Sequence, residues 1–355
     1  MMKKFLKVIL ILVLIVLVAV GGLLGWLSAT EFRPADVEPL SFDPAPDAAL
    51  PALSAGGSIR ILSRNIGYGG LGAGSDFFMD GGKDSRSADK MTVSEYLAGI
   101  FAVLHSGREE PDVIMLQEVD TDSARSYGID ETALLSSSVG VHALNYSCPF
   151  VPIPLPPIGK VNSGLFTTAD VAIERAERIS LPCPFSWPLR IANLKRCLLV
   201  SYLPLEGTDK QLVLVNLHLE AYDDGEGKIA QTKQLNDFLQ TEYAKGNYVI
   251  AGGDFNQVFP GSLELYPNRH PENWEPGLLS EDMLPEGWQF AYDLSTPSCR
   301  LLNQPYDPED TVNTQHYVID GFILSPNVTL ESVQTLDLGF AYSDHNPVCV
   351  NVKLG

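Results

Sequence analysis

The chain has 355 residues, 45% of them hydrophobic, with 44 acidic against 24 basic side chains and a net charge of −20. That apolar content excludes a disordered chain and suffices for one large core or two modest ones. The charge excludes broad electrostatic binding of nucleic acid, which needs clustered Lys and Arg, while leaving room for a local basic rim or for divalent cations at an acidic site.

The N-terminus carries Lys3, Lys4 and Lys7, after which Val8–Leu27 runs without a charged residue. As a helix this stretch is about 30 Å long, enough to cross a bilayer core. Residues 1–29 therefore read as a transmembrane anchor, with the basic flank on the cytoplasmic side and the remaining chain outside. A cleaved signal segment is the alternative and implies secretion; Ser28-Ala29 offers small residues for cleavage, but the apolar run exceeds the roughly 7–15 residues of a signal core. Residues 30–57 are rich in Pro, Ala and Asp and read as a linker. Residues 58–355 read as one folded domain.

SIRILSRN, Ser58–Asn65, is the first expected strand. A Gly-rich loop from Gly67 to Gly82 precedes a helix beginning near Thr92, where Thr92 and Glu95 give a Thr-x-x-Glu capping pattern. PDVIMLQEV and Val139–Tyr146 read as strands, and the Pro-rich stretch from Cys148 to Pro157 as a loop. Strands follow at Ser163–Thr168, within Ile191–Leu203, and at QLVLVNLHL. Gly227–Tyr243 is helical by the spacing of Ile229, Leu235, Phe238 and Leu239. NYVIAGGDFN is a strand entering a loop; residues 257–312 show few periodic signals; HYVIDGFILSP and VCVNVKL are the last strands. Strands outnumber helices, which predicts mixed sheets with helices outside rather than a doubly wound parallel sheet.

None of the five cysteines forms a CxxC pair, which argues against structural zinc. Cys148 and Cys183 share a Pro-rich region and are candidates for a disulfide in an oxidising compartment, while Cys197 and Cys349 lie in strand-like runs as buried thiols.

Polar residues recur at the ends of the apolar runs: Asn65, Glu118, Asn216 with His218, Asp254 with Asn256, and Asp344 with His345, plus Asp320 inside VIDGFIL. Singly, each has a bland explanation. GDFN suits a Gly-Asp turn, Asn65 a turn leaving its strand, Glu118 a solvated strand end, and SDHNP a turn stopped by Pro347. Together they predict convergence on an oxygen-rich site suited to Mg²⁺ and phosphate chemistry. Continued strand geometry would put Asp254 and Asn256 on one side, and His218 on the face of Asn216. Asp320 needs a buried partner, for which an imidazole is suited; His316 shares its face by two-residue spacing but is placed farther from the site.

SRNIG, VIMLQEV, NSGLFTT, LVNLHLE, GGDFN, YVIDGFILS and YSDHNPV, taken in order over roughly residues 59–350, resemble the endonuclease/exonuclease/phosphatase superfamily. Its members are Mg²⁺-dependent phosphoesterases and include DNase I-like nucleases, neutral sphingomyelinases and inositol-polyphosphate 5-phosphatases. The resemblance implies an α/β (α+β) four-layer sandwich of two packed mixed β-sheets flanked by helices. It implies Asn65, Glu118 and Asp344 at Mg²⁺, with Mn²⁺ as a possible substitute. Asp254 would activate water, Asn256 would hold that water or a phosphoryl oxygen, and His218 would bind a non-bridging oxygen. Asp320 would pair with His345, which serves the transition state, and Asn162 would contact or support the phosphate. Two departures stand out: Val318 occupies a position where members often carry Arg, and the Gly67–Gly82 loop is long. Lys83, Arg86 and Lys90, in or just beyond that loop, suit an anionic headgroup or a merely solvated charged surface.

The expected function is divalent-metal-dependent hydrolysis of a small or lipid-linked phosphomonoester or phosphodiester by in-line attack of water. The alternatives are an extracellular endonuclease or exonuclease and, in another class, a non-catalytic module that binds phosphate ligands. Loss of a central residue would signal the last, and none is lost. The expected partners are the phosphate ester and, through the N-terminal segment, a membrane, with nucleic acid less favoured.

Overall fold

The computed structural model describes all residues except 1, 44, 46–48, 88, 106–109, 224 and 311. Its architecture follows from runs such as Val113–Leu116, in which every side chain is buried. A strand apolar on both faces must be covered on both. Val113 and Met115 join Ile61, Leu212, Leu214 and Ile250 between two sheets. Ile114 and Leu116 join Leu62 against Val93, Leu97 and Ile100 of the helix Lys90–Leu104. On the other outer face Val213, Val215 and Val249 pack on Leu235 and Leu239 of the helix Glu226–Ala244.

One sheet has eight strands, in the order Val37–Leu40, Arg175–Ser180, Cys197–Glu206, Gln211–His218, Tyr248–Asp254, Asp320–Leu324 and Gln289–Ala291, with Leu53–Ser54 paired alongside Cys197–Glu206. The other has six: Val328–Thr335, Val348–Leu354, Ser58–Asn65, Val113–Asp120, Gly159–Ala169 and Val139–Val151. The fold is therefore two mixed sheets flanked by helices, as the sequence predicts.

Two parallel pairs fix the site. Ser58–Asn65 runs parallel to Val113–Asp120, crossing over through Lys90–Leu104. Gln211–His218 runs parallel to Tyr248–Asp254, crossing over through Glu226–Ala244. Parallel strands end together, so Asn65 lies opposite Gln117 and Asp254 opposite His218. The antiparallel strand Asp320–Leu324 starts where Tyr248–Asp254 ends, bringing Asp320 opposite Asp254.

Several local expectations need correction. Asp89, not Thr92, caps the first internal helix: its carboxylate accepts from the Thr92 amide at 2.8 Å. Cys148 to Val151 continue a strand rather than a loop, because they pair with the strand Gly159–Ala169. HYVIDGFIL is not one strand: His316–Tyr317 pairs with Cys299–Arg300, and Asp320–Leu324 enters the large sheet. Cys148 and Cys183 are not bonded, and all five thiols are free.

The helix Met2–Ala29 is long and apolar enough to cross a membrane, with a mean hydropathy of 3.2 over its most apolar window. Its end docks on the domain. Leu27 is buried among Tyr146, Val151, Ile158 and Ile191, and Trp187 Nε1 donates to Ser28 Oγ at 3.1 Å. Just beyond, the Glu31 carboxylate accepts from Arg190 Nε at 2.9 Å. Within the Pro/Ala-rich segment Val37–Leu40 adds an edge strand to the sheet, while residues 44 and 46–48 of that segment lie outside the described residues.

Candidate active site

The strand ends meet at the edge of the sandwich, and a cavity of about 560 Å³ opens over them. Asn65, Glu118, His218, Asp254, Asn256, Asp344 and His345 all line it. Asp320 sits directly behind, fully buried, with its Oδ2 2.8 Å from His345 Nδ1.

Glu118 is delivered by a break in pairing. The register between Val113–Asp120 and its antiparallel neighbour shifts between Leu116 and Val119, and Glu118 adopts a φ of 55°. Such a bulge re-aims a side chain that regular pleating would direct elsewhere. Asn256 likewise has a φ of 51°, and its amide donates to Asp254 Oδ1 at 2.9 Å. The pair is thus formed by a turn, not by strand alternation. The Asn256 side chain is anchored by donation from Nδ2 to the Leu219 carbonyl at 2.9 Å.

Asp254 is the hub. Its Oδ2 accepts from Asn65 Nδ2 at 3.0 Å and lies 3.4 Å from His218 Nε2 and 3.7 Å from His345 Nε2. Burial, reinforced by the charge of Asp320, pushes the carboxyl up to about 7 against the pull of His345. His345 moves up: burial alone would lower it, but Asp320 and the other carboxylates around it outweigh that cost. His218 moves down through burial, Arg196 and His345, so it stays a neutral imidazole. Two histidines in one site are thereby set to opposite states. Arg64, fully buried, donates from Nε to the His345 carbonyl at 3.2 Å and places a cation near Asp344 and Asp320.

Asn65 sits between two of the carboxylates. Its Oδ1 already accepts from the Gly67 amide at 3.0 Å, while its Nδ2 donates to both Glu118 and Asp254. One amide group thus bridges the two carboxylates. Asn216 is structural: its amide bonds the Leu116 and Phe166 carbonyls and Gln117 across the sheets. Asn162 does not line the cavity; its Oδ1 accepts from Ser147 at 2.8 Å. Lys83, Arg86 and Lys90 are exposed and also absent from the lining. His316 lies apart, stacked on Phe340.

The structure adds residues that the sequence reading missed. Asp80, from the Gly-rich loop, lines the cavity and accepts from Tyr222 Oη at 3.1 Å. Burial and the charge of Asp344 push it up to about 7. The apolar run Phe77–Met79 before it was the available signal, since an apolar loop segment must pack against something. Asn145 is 2% exposed and lines the cavity with an amide nitrogen that has no hydrogen-bond partner. Arg125 lies 3.8 Å over the Tyr68 ring and is held by both oxygens of Asp120.

Among the described residues, two clusters have the geometry to hold an ion: Asp254, Asp320 and His345, and Cys299, Asp344 and His345. The first is closed by the Asp320–His345 hydrogen bond. In the second the Cys299 thiol is pushed up to about 12 by burial, and sulfur is a soft donor that suits a hard divalent cation poorly. Carboxylate oxygen, which suits a hard divalent cation, is offered to the same cavity by Glu118, Asp344 and Asp80. Asp344 is raised by burial and by Glu118, the field that a cation would relieve.

No family model matches this chain, and neither does any curated protein. Solved structures do. An endonuclease/exonuclease/phosphatase from Beutenbergia cavernae is 16% identical, covering 84% of this chain and 72% of its own, with a TM-score of 0.53. One from Bacteroides vulgatus is 15% identical, covering 84% of this chain and 100% of its own, with a TM-score of 0.52. A family protein from Bacteroides thetaiotaomicron is 15% identical over 84% and 98%, with a TM-score of 0.50. This chain therefore has the DNase I-like two-sheet fold found in endonuclease/exonuclease/phosphatase structures.

Proposed function

We propose that the chain is a divalent-metal-dependent phosphoesterase, acting on a small or lipid-linked ester by in-line attack of water. The observation that carries this is the convergence on Asp254 of a linking amide, a neutral imidazole and a charged one inside one cavity. Glu118 and Asp344 would hold the cation, Mg²⁺ or in its place Mn²⁺, with Asn65 orienting Glu118. When bound, the ion supplies positive charge to a phosphoryl oxygen.

The side chains supply the rest. Asp254 accepts a proton from the attacking water, and Asn256 holds that water or a phosphoryl oxygen. His345, kept charged by Asp320, donates to the negative charge that develops on phosphorus. His218 and the unpaired Asn145 amide offer further donors to non-bridging oxygens. The N-terminal helix would anchor the protein, with Lys3, Lys4 and Lys7 on the cytoplasmic side and residues 58–355 as the external catalytic domain. Protease added to intact cells should then reach the domain; protection until the membrane is breached would reverse the orientation.

The full chain in detergent should hydrolyse phosphate esters with Mg²⁺ and lose that activity in EDTA. Asp254→Ala should lower kcat by about 10²–10⁴-fold while the protein stays folded. Full activity of folded D254A, or of the wild type in excess EDTA, would overturn the reading. A panel of duplex DNA, lipid-headgroup esters and sugar phosphates separates nuclease from small-ester chemistry.

A further inference from the structure

The catalytic cluster shares its cavity with apolar walls: Phe78, Ile153, Ile158 and Leu189, and Leu24 and Leu27 from the last turns of the N-terminal helix. The apolar helix thus forms part of the wall of the space that holds Asp254.

That helix end is fixed in place. Leu27 is 3% exposed, Trp187 bonds Ser28, and Glu31 is held by Arg190, with Lys195 at 3.5 Å. A 28-residue helix is about 42 Å long, against roughly 30 Å of hydrocarbon. With the N-terminal lysines at one surface, Val8–Leu27 fills the core, and Leu24 and Leu27 reach the opposite boundary. Around the same mouth the domain leaves large apolar side chains in the open: Ile153 is 70% exposed, Leu155 87%, Trp187 57% and Leu189 67%. Trp at a helix end and apolar loop tips beside it are the features of a surface seated in the bilayer interface. The two loops, near 152–158 and 182–192, come from different parts of the chain, yet both meet the helix.

We propose, resting on the phosphoesterase reading above, that the substrate is an amphiphile: a phosphate ester carrying a hydrocarbon chain that enters from the bilayer. The phosphate lies at Glu118, Asp254 and His345, and the chain lies in the trough between the loops and the helix. The N-terminal helix is then both an anchor and one wall of the binding site. A cavity of about 560 Å³ falls within the roughly 300–1,000 Å³ range of sites that enclose one small molecule. The exposed cations Lys83, Arg86 and Lys90 lie off the cavity, so they offer a long polyanion no contact beside the catalytic cluster.

The test uses the full chain in nanodiscs with Mg²⁺ and two matched series presented below their aggregation concentrations. These are alkyl phosphate monoesters and alkyl p-nitrophenyl phosphodiesters with butyl, octyl and dodecyl chains. Bis(p-nitrophenyl) phosphate serves as the chainless ester. In one series kcat/KM should climb with chain length, by up to about fourfold per methylene until the trough is filled. Ile153→Asp and Leu189→Asp alter exposed positions outside the catalytic cluster. Each should cut kcat/KM for the dodecyl ester at least tenfold more than it cuts kcat/KM for bis(p-nitrophenyl) phosphate. Flat chain-length dependence, or wild-type dodecyl turnover in I153D and L189D, would overturn the amphiphile and leave the phosphoesterase reading standing. Absence of turnover for every ester would overturn both.

Discussion

Asp320 bonds His345 Nδ1 through Oδ2, and the same oxygen accepts from Ser298 Oγ at 2.7 Å. Ser298 is in turn fixed, because its hydroxyl also meets the Ile319 and Asp320 amides at 3.0 Å. The imidazole is therefore oriented by a carboxylate that cannot swing, leaving Nε2 to face Asp254. Asp320→Asn preserves the shape and removes the charge. With that charge gone, the largest of the influences that raise His345 is lost and its protonated form is held less strongly. If charged His345 donates to the phosphoryl group, activity falls as pH rises through the His345 pKa. That alkaline limb should move to lower pH in D320N, and kcat at neutral pH should drop by about 10²-fold or more. A pH–rate profile identical to wild type would remove His345 from the role of charged donor. Asn65 contributes differently, by fixing the spacing between Glu118 and Asp254 through one amide group.

At the scale of elements, one side chain gathers much of the Gly-rich loop's hydrogen bonding, beside backbone bonds such as that from the Phe77 amide to the Leu302 carbonyl at 2.8 Å. Arg300 Nη2 donates to the Gly72 and Ser75 carbonyls at 2.9 and 3.0 Å, and Nη1 donates to Leu301 and Gln304 at 3.3 and 3.1 Å. The planar guanidinium satisfies four carbonyls that an ammonium cannot reach together. Arg300→Lys should destabilise the fold by about 2–3 kcal/mol, read as a lower midpoint in denaturant. Because the loop carries Asp80 and Phe78 into the cavity, KM should rise more than kcat falls. Unchanged stability and KM would show that the loop is held by other contacts. This dependence on a distant arginine explains what the sequence conceals. VIML, LVLV and YVIAG announce buried strands because both their faces are apolar, and the polar residues at their ends are visible by position. The bulge that turns Glu118 inward is not visible, since it arises from pairing with the strand Gly159–Ala169. The strand Val328–Thr335 hides for the opposite reason: its edge position leaves Glu331 and Ser332 exposed, with little apolar pattern to read. Asp80 is hidden because loop residues gain their neighbours only when the chain closes.

At the scale of the whole molecule, folding gathers Asp80, Glu118 and Asp344 from distant parts of the sequence into one cavity, against a background net charge of −20. The unfolded chain disperses them and binds a divalent cation poorly. Mg²⁺ should therefore stabilise the folded state by linkage, by about 2.7 kcal/mol at a hundredfold excess over Kd. The sign of its pH dependence follows from Asp80, which burial and Asp344 push up to about 7. A carboxyl whose folded pKa is raised favours folding below its unfolded pKa, and that contribution is lost as pH rises through about 7. Without a cation, thermal stability should fall between pH 6 and pH 8; with Mg²⁺ at the carboxylates, the loss should shrink. The rise in Tm on adding Mg²⁺ should thus be larger at pH 8 than at pH 6. General screening of the acidic surface is removed from the comparison by matching ionic strength with KCl. Glu118→Gln should abolish most of the Mg²⁺ increment and, in EDTA, be at least as stable as wild type, because it removes a charge that raises both Asp344 and Asp80. Equal Tm values in Mg²⁺ and in matched KCl, at both pH values, would mean that these carboxylates do not hold the ion.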